Sequence, residues 1–438
     1  MPRQETSLSN VHGKNCDQFL FNYKFSQRNS NMQCRKTYLN GIIFKFFIWI
    51  GLVQETDPSL KRRKTWLVFI CLLLFVITDT VILGIIHSDV VEMKVNITCN
   101  VAFICCLMVW YSMRRKNKRL AIALLKLQDI DPSPNSMTSN AVALLILSLP
   151  IIFSVLCAFK SDRRVISRFY AYRNEVESVT IQIIIISIKK AIQFFFYPIF
   201  PCLVSFLYVT ICLRCSVFIR DLTNRVIQHS PETFGPSPQI DVLRNKARID
   251  DVLDNIQAVF SFPSFFVVVS SFLTCCSALG FILMATKDNY STDAVLVVVF
   301  YAITNSTCLM GILWFAGGVP FELKKLKKSF YKKAQLRLIF VRPSKEPQCK
   351  REIMEKPDFV FMGCDILSYK RSSIFVVIGT LLTYTVLVVK EVIATLKLEN
   401  YISISWWSAF VPLFICDGLN AYFCVIVFIR QYLEDIYC

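Results

Sequence analysis

Very little in this sequence is spaced for chemistry. It has no glycine-rich phosphate loop, no GxGxxG, no HExxH and no GxSxG, so the elements that hold a nucleotide, a hydrolytic metal or an activated serine have no counterpart. Histidine occurs three times in 438 residues, which leaves metal ligands and general bases scarce. Cys212-Leu213-Arg214-Cys215 is a single CxxC with no second pair, and a closed zinc site needs four ligands. The notable titratable residues are Asp79, Lys189 and Lys190, set in or beside apolar runs. A charged group there is paired or functional. Asp79 could bond to Thr78 or Thr80, pair with a cation elsewhere, or share a midplane cavity with Lys189 and Lys190, as a transporter would require. These alternatives stay open, and the pattern points to neither an enzyme nor a cofactor.

The elements that must position these residues are membrane spans. The chain is 54% hydrophobic and only 18% charged, with a mean hydropathy of +0.49, whereas a soluble domain carries about 25% charge. Apolar blocks long enough to cross a bilayer, about 20 residues, fall near 66–86, 95–113, 141–159, 191–213, 260–286, 294–316, 372–390 and 403–429. The shorter run 41–53, interrupted by Lys45, reads as an interfacial or re-entrant helix. The apolar stretch 176–187 runs into Lys189 and Lys190, so a long fourth helix is expected, its outer part projecting beyond the hydrocarbon and kinked by Pro198 and Pro201. The expected organisation is a cytoplasmic segment over 1–65, a seven-span unit over 66–392, and an additional apolar span with a short tail over 393–438.

Orientation follows from charge, because cytoplasmic loops retain Lys and Arg during insertion. With the N-terminus inside, 37 of the 49 Lys and Arg fall on the cytoplasmic side, including Lys61-Arg62-Arg63-Lys64, Arg114-Arg115-Lys116 and Lys324-Lys325-Leu326-Lys327-Lys328. The net charge of +18 is therefore a topology signal and an attraction for anionic lipid, and nucleic acid is not an expected partner. Two sequons, at Asn96 and Asn289, fall on the outer side and are glycosylation candidates. Most of the eighteen cysteines lie in spans or cytoplasmic segments, where thiols stay reduced. Two cytoplasmic stretches have helical patterning: Ile240, Leu243, Ile249, Val252, Leu253 and Ile256 in one, Leu326, Phe330, Leu336 and Phe340 in the other. Such helices either lie on the inner leaflet or pack together beneath the membrane as a subunit-assembling base.

Two segments carry a family resemblance. Ile249-Asp250-Asp251-Val252-Leu253-Asp254-Asn255-Ile256, with Phe260-Ser261-Phe262-Pro263, resembles the approach to the fifth span of the insect-type gustatory receptor superfamily, which includes nematode relatives. Gly363-Cys364-Asp365-Ile366-Leu367, Arg371-Ser372-Ser373 and Ile378-Gly379-Thr380-Leu381-Leu382-Thr383-Tyr384 look like its C-terminal signature. The resemblance covers roughly residues 40–392. It implies an all-α, seven-span odorant/gustatory-type fold with an internal N-terminus, a possible eighth span, and a chemoreceptor in the plasma membrane that is itself a ligand-gated cation channel. It further implies a small-molecule stimulus, a homotetramer, and a pore lined by the helix over 372–389, with Thr383, Tyr384, Val386 and Leu387 at the signature and gate. Where the family has Gln-Phe this chain has Lys390-Glu391, and four copies of Lys390 would repel cations unless each pairs with Glu391. Tyr208, Phe272 and Tyr301 are ligand-pocket candidates by position. Trp66 and Trp314 are interfacial anchors or, as in light- or peroxide-sensing nematode relatives, sensory residues. The alternative is a serpentine G-protein-coupled chemoreceptor, for which Asp162-Arg163-Arg164 is the one supporting string.

Overall fold

The computed structural model describes residues 42–53, 65–86, 90–130, 136–160, 163–284, 292–340 and 359–398. It is a bundle of helices: α1 (Ile42–Trp49), α2 (Thr65–Ile86), α3 (Val90–Arg115), α4 (Asn117–Ile130), α5 (Ser136–Lys160), α6 (Arg163–Tyr170), α7 (Val179–Phe194), α8 (Phe200–Gln228), α9 (Pro236–Met284), α10 (Thr292–Ala316), α11 (Gly318–Phe340) and α12 (Ser373–Leu398). A two-residue hairpin, β1 (Met362–Gly363) and β2 (Leu367–Ser368), precedes α12.

The packing is that of a membrane protein. On α2 the stripe Phe69, Leu73, Val76 and Leu83 is buried at helical spacing while Val68, Leu72, Phe75, Ile82 and Ile85 face outward; a helix apolar all round is stable only if its outer face meets lipid. Five helical stretches among the described residues are long and apolar enough to cross a bilayer: Thr65–Ile86, Met137–Lys160, Val179–Gln228, Pro236–Ile282 and Ala294–Arg337. The expected span at 95–113 lies in α3, which packs inside the bundle between α2 and α9 and buries Phe103, Cys106, Val109, Trp110 and Met113. The seventh lies in α12, whose shorter apolar stretch is Ser373–Val388. The eighth, 403–429, falls outside the described residues, as does Asn289.

The fourth span differs from expectation. It is two helices, α7 and α8, joined by a π-turn over Phe195–Ile199 in which Tyr197 is extended (φ −146°, ψ 123°). Pro198 explains the break, since a proline disfavours the helical conformation in the residue before it, whereas Pro201 lies in the first turn of α8, where its missing N–H costs nothing. Nor is α7 a free extension, for it packs against α5 and α6 and buries Ile186.

α9 has 49 residues, roughly 70 Å of helix, more than twice the hydrocarbon thickness of about 30 Å. Its first half projects beyond the apolar region, burying Val242, Leu243, Ile249, Val252, Leu253 and Ile256 while Ile240 is exposed. α11 continues α10 past Gly317 and packs along α8: Arg220 pairs with Glu322 at 3.1 Å, Lys333 Nζ donates to the His229 carbonyl at 2.7 Å, and Phe330 meets Phe234 edge-on. Each of the two amphipathic stretches therefore packs on the bundle, α9 against α4 and α8 and α11 along α8, and together with the end of α8 they form a base at the lysine-rich end. α1 is tucked under the same end. Phe47 and Ile50 are fully buried, and Trp110 Nε1 and Arg114 Nη1 donate to the carbonyls of Ile50 and Gly51.

Candidate functional site

Three constellations stand out. The first is an aromatic and polar core in the half of the bundle away from the base. The break between α7 and α8 places Tyr197 inside the bundle, 3% exposed, where its ring stacks on Tyr301 at 5.8 Å and meets Phe103 edge-on at 6.4 Å. Phe194 and Phe153 close on Phe300 at 5.0 and 4.3 Å. The Tyr197 hydroxyl lies 3.1 Å from the Ser270 carbonyl and 2.9 Å from Asn305 Oδ1, and it also bonds to the Thr274 hydroxyl. A phenol has one proton to donate, so Ser270, Asn305 and Thr274 compete for it, and the Thr274 hydroxyl has the Ser270 carbonyl within 2.9 Å as an acceptor for its own proton. The result is a closely packed aromatic cluster around one convergent polar group, residue types that also line small-molecule sites.

The second is an ion pair near the opposite end from the base. Lys189 Nζ on α7 sits 2.5 Å from Asp79 Oδ1 on α2, and the Tyr172 hydroxyl donates to the same oxygen. That bond to Asp79, then burial, raises the Tyr172 hydroxyl above its usual range. Lys189 also lies over the rings of Phe75 and Tyr172 at 5.5 and 5.2 Å, so each charge is compensated where it is withdrawn from water. Thr78 and Thr80 instead bond to carbonyls of their own helix, and Thr80 also to Asn100. Lys190 follows Lys189, turned about 100° around the helix, and is buried.

The third joins the two segments that carried the resemblance. The hairpin before α12 is held on α9 by Gln257, whose amide donates to the Met362 carbonyl at 2.8 Å and accepts from the Met362 N–H at 3.0 Å, as a neighbouring strand would. The Cys364 N–H donates to both the carbonyl and the hydroxyl of Ser261. Cys364 and Asp365 turn the hairpin with positive φ (50° and 57°). Tyr369, fully buried, bonds to the Ser264 hydroxyl at 2.8 Å. Burial and the Asp365 carboxylate push the Cys364 thiol up. Gln257→Ala removes both bonds to Met362 and leaves two half-buried backbone groups unmatched. A loss of about 1–3 kcal/mol follows, measured as a lower melting temperature of the purified chain. Gln257→Glu, which keeps the acceptor, will lose less; an Ala variant melting with wild type would dissolve the latch.

The positionally chosen pocket residues do not converge. Tyr301 lies in the aromatic core. Tyr208 is enclosed near the base, stacked on Phe260 at 4.9 Å and edge-on to Phe361, and Phe272 is half-buried on α9. Trp66 stacks on Trp110 at 6.3 Å with the Arg114 guanidinium 3.9 Å above it. Trp314 stands exposed beside Arg371. On α12, Thr383 bonds to the Gly379 carbonyl, Tyr384 packs beside Gly280 of α9, and Val386 is half-buried. Val376, Thr380 and Leu387 form an exposed stripe. Asn96, Lys390 and Glu391 lie on helices α3 and α12. Sequence reasoning passed over Tyr197, Asn305, Tyr172 and Gln257. A polar residue within an apolar span and a tyrosine before proline were the available signals.

This geometry defines a polytopic, all-α membrane protein with a projecting base and with α12 latched to α9 through the hairpin that precedes it. The same fold is found in the insect olfactory receptor OR5 from Machilis hrabei, which superposes with a TM-score of 0.56 over 78% of this chain and 97% of the receptor, at 13% identity. The structure of OR5 in complex with eugenol gives 0.56 over 82% of this chain and 98% of the receptor, at 14% identity. A 67-residue stretch is 39% identical to Transmembrane protein 203 of Xenopus laevis and 37% to that of Xenopus tropicalis. It amounts to 15% of this chain, which spans 45%, just under half, of the curated relatives it matches. No family model matches.

Proposed function

We propose that the chain is a chemosensory receptor of the insect odorant/gustatory type, a gustatory-like member such as nematodes carry, and that it acts as a ligand-gated cation channel. The observation that carries this is the extent of the likeness to OR5, which takes in 97% of that receptor, together with the meeting of both motif segments at the latch. The receptor sits in the plasma membrane as a homotetramer with the basic end in the cytoplasm, and Asn96 and Asn289 are glycosylated outside. Its stimulus is a small molecule held by the aromatic core around Tyr197 and Tyr301. OR5 has been determined with eugenol bound, and eugenol is a reasonable first probe. Four copies of α12 line the pore, with the stripe Val376, Thr380 and Leu387 turned to the pore or to the neighbouring subunit, and Thr383 and Tyr384 against α9. Neither an enzyme activity nor a cofactor is part of this reading.

The test is whole-cell current in cells without functional G proteins, exposed to eugenol, a tastant panel, light and peroxide. A stimulus-gated current is expected. Tyr384→Ala will reduce it, Lys390→Gln will raise cation permeability, and Tyr197→Phe and Tyr301→Ala will shift the dose response upward. Surface-expressed protein that passes no current under any stimulus, yet regains a response when G proteins are restored, would favour a serpentine receptor.

A further inference from the structure

At the basic end Arg371 stands between two exposed aromatic side chains. Its guanidinium carbon lies 5.0 Å from the ring centre of Trp314 and 5.2 Å from that of Phe321, rings that are 52% and 55% exposed. Trp314 closes the apolar stretch of α10 and Phe321 opens α11. Both therefore sit where the apolar part of the helix ends, the level at which aromatic side chains settle in a bilayer.

The hydrogen-bonding capacity of Arg371 is not used up by the protein. Among the described residues its Nε, although shielded, has no partner, and it forms no ion pair. The one acid nearby on α11, Glu322, is buried and accepts from Arg220 of α8. The surrounding exposed charges are cations: Lys370 next in sequence, and Lys324 and Lys325 one turn beyond Phe321. A guanidinium braced by two rings and lacking an acceptor, amid ammonium groups at headgroup level, is complementary to a phosphate whose acyl chains lie against the rings.

We propose that Arg371, Trp314, Phe321, Lys325 and Lys370 form a binding site for the headgroup of an acidic phospholipid in the leaflet at the basic end. The site goes beyond the receptor reading and does not depend on it. Its position gives it a mechanical consequence. Arg371 is two residues from the start of α12, and its backbone N–H and side chain rest on Gly317 and Gly318 at the α10–α11 joint, so a bound headgroup ties the foot of α12 to the base.

The experiment uses the full chain in phosphatidylcholine nanodiscs, with tryptophan quenching by brominated phosphatidylserine compared with brominated phosphatidylcholine at equal content. The acidic lipid will quench more, and the excess will vanish in Trp314→Phe. In Arg371→Gln about tenfold more phosphatidylserine will be needed for half the effect. Should Arg371→Gln fail to fold, Lys325→Gln with Lys370→Gln, both surface changes, will still weaken the excess by about tenfold or more. Lys332→Gln, two turns further from the membrane, will not. Equal quenching by the two lipids, or an excess that survives the Arg371 or paired Lys variants, overturns the site. An excess abolished by inorganic phosphate added in solution overturns the lipid assignment and gives the site to a soluble phosphate.

Discussion

Gly317→Val will leave almost no folded protein. A Cβ at position 317 would lie 2.6 Å from the Arg371 backbone nitrogen, 2.8 Å from the Lys370 carbonyl carbon and 2.8 Å from the Leu313 oxygen. All three are main-chain atoms in helix or latch, so none can rotate aside. Relief requires separating the α10–α11 joint from the latch that carries α12, and the loss will exceed the 1–3 kcal/mol or so of ordinary overpacking. Gly280→Ala supplies the contrast. There the added carbon meets only the tip of Tyr384, at 3.3 Å, which can give by a few tenths of an ångström, and a change below about 1 kcal/mol is expected. Surface biotinylation and the melting temperature of detergent-solubilised protein read both. A Gly317→Val chain that reaches the surface and melts with wild type would mean that the joint and the latch are not rigidly apposed.

The membrane class, the five long apolar helices and the amphipathic halves of α9 and α11 were legible because hydrophobic length and 3.6-residue spacing act locally. The break at Tyr197 was half legible: Pro198 marks a kink, but only the packed bundle shows that the kink separates two helices and places a tyrosine among Ser270, Thr274 and Asn305. Ile240 fits the helical pattern and is nevertheless exposed, since periodicity identifies a face but not where that face runs out of partners. The site was less legible than the fold because its contacts join residues far apart in the chain. Tyr208, Phe272 and Tyr301 looked equivalent by position within their spans, yet the first belongs to the closed packing near the base and the third to the aromatic core. Gln257 carries no signal of its own. It matters because the hairpin over 362–368 arrives beside it with an N–H and a carbonyl to satisfy. Asp79 announced itself as a buried acid, whereas its partner could not be chosen between neighbours and a distant lysine without the angle at which α7 meets α2.

That pair gives the second large effect. Lys189→Met will destabilise the chain more than Asp79→Asn, although both break the same bond. Removing the lysine strands a carboxylate whose side chain is 4% exposed, with only the Tyr172 hydroxyl left to it, and breaking a buried pair this way costs about 3–5 kcal/mol. Removing the acid leaves an ammonium on a long stem whose side chain is 20% exposed. Lys189 can then reach toward water while keeping its place over the Phe75 and Tyr172 rings, and a loss of about 1–2 kcal/mol is expected. The double variant Asp79→Asn, Lys189→Met buries no charge and will sit within about 1 kcal/mol of Asp79→Asn, so the two losses will fall short of additivity by about 2 kcal/mol or more. Melting of the four proteins in one detergent closes the cycle. Losses that simply add would mean the two charges are solvated independently, and the reading of Asp79 and Lys189 as separate groups facing a polar cavity, as a transporter would have them, would return.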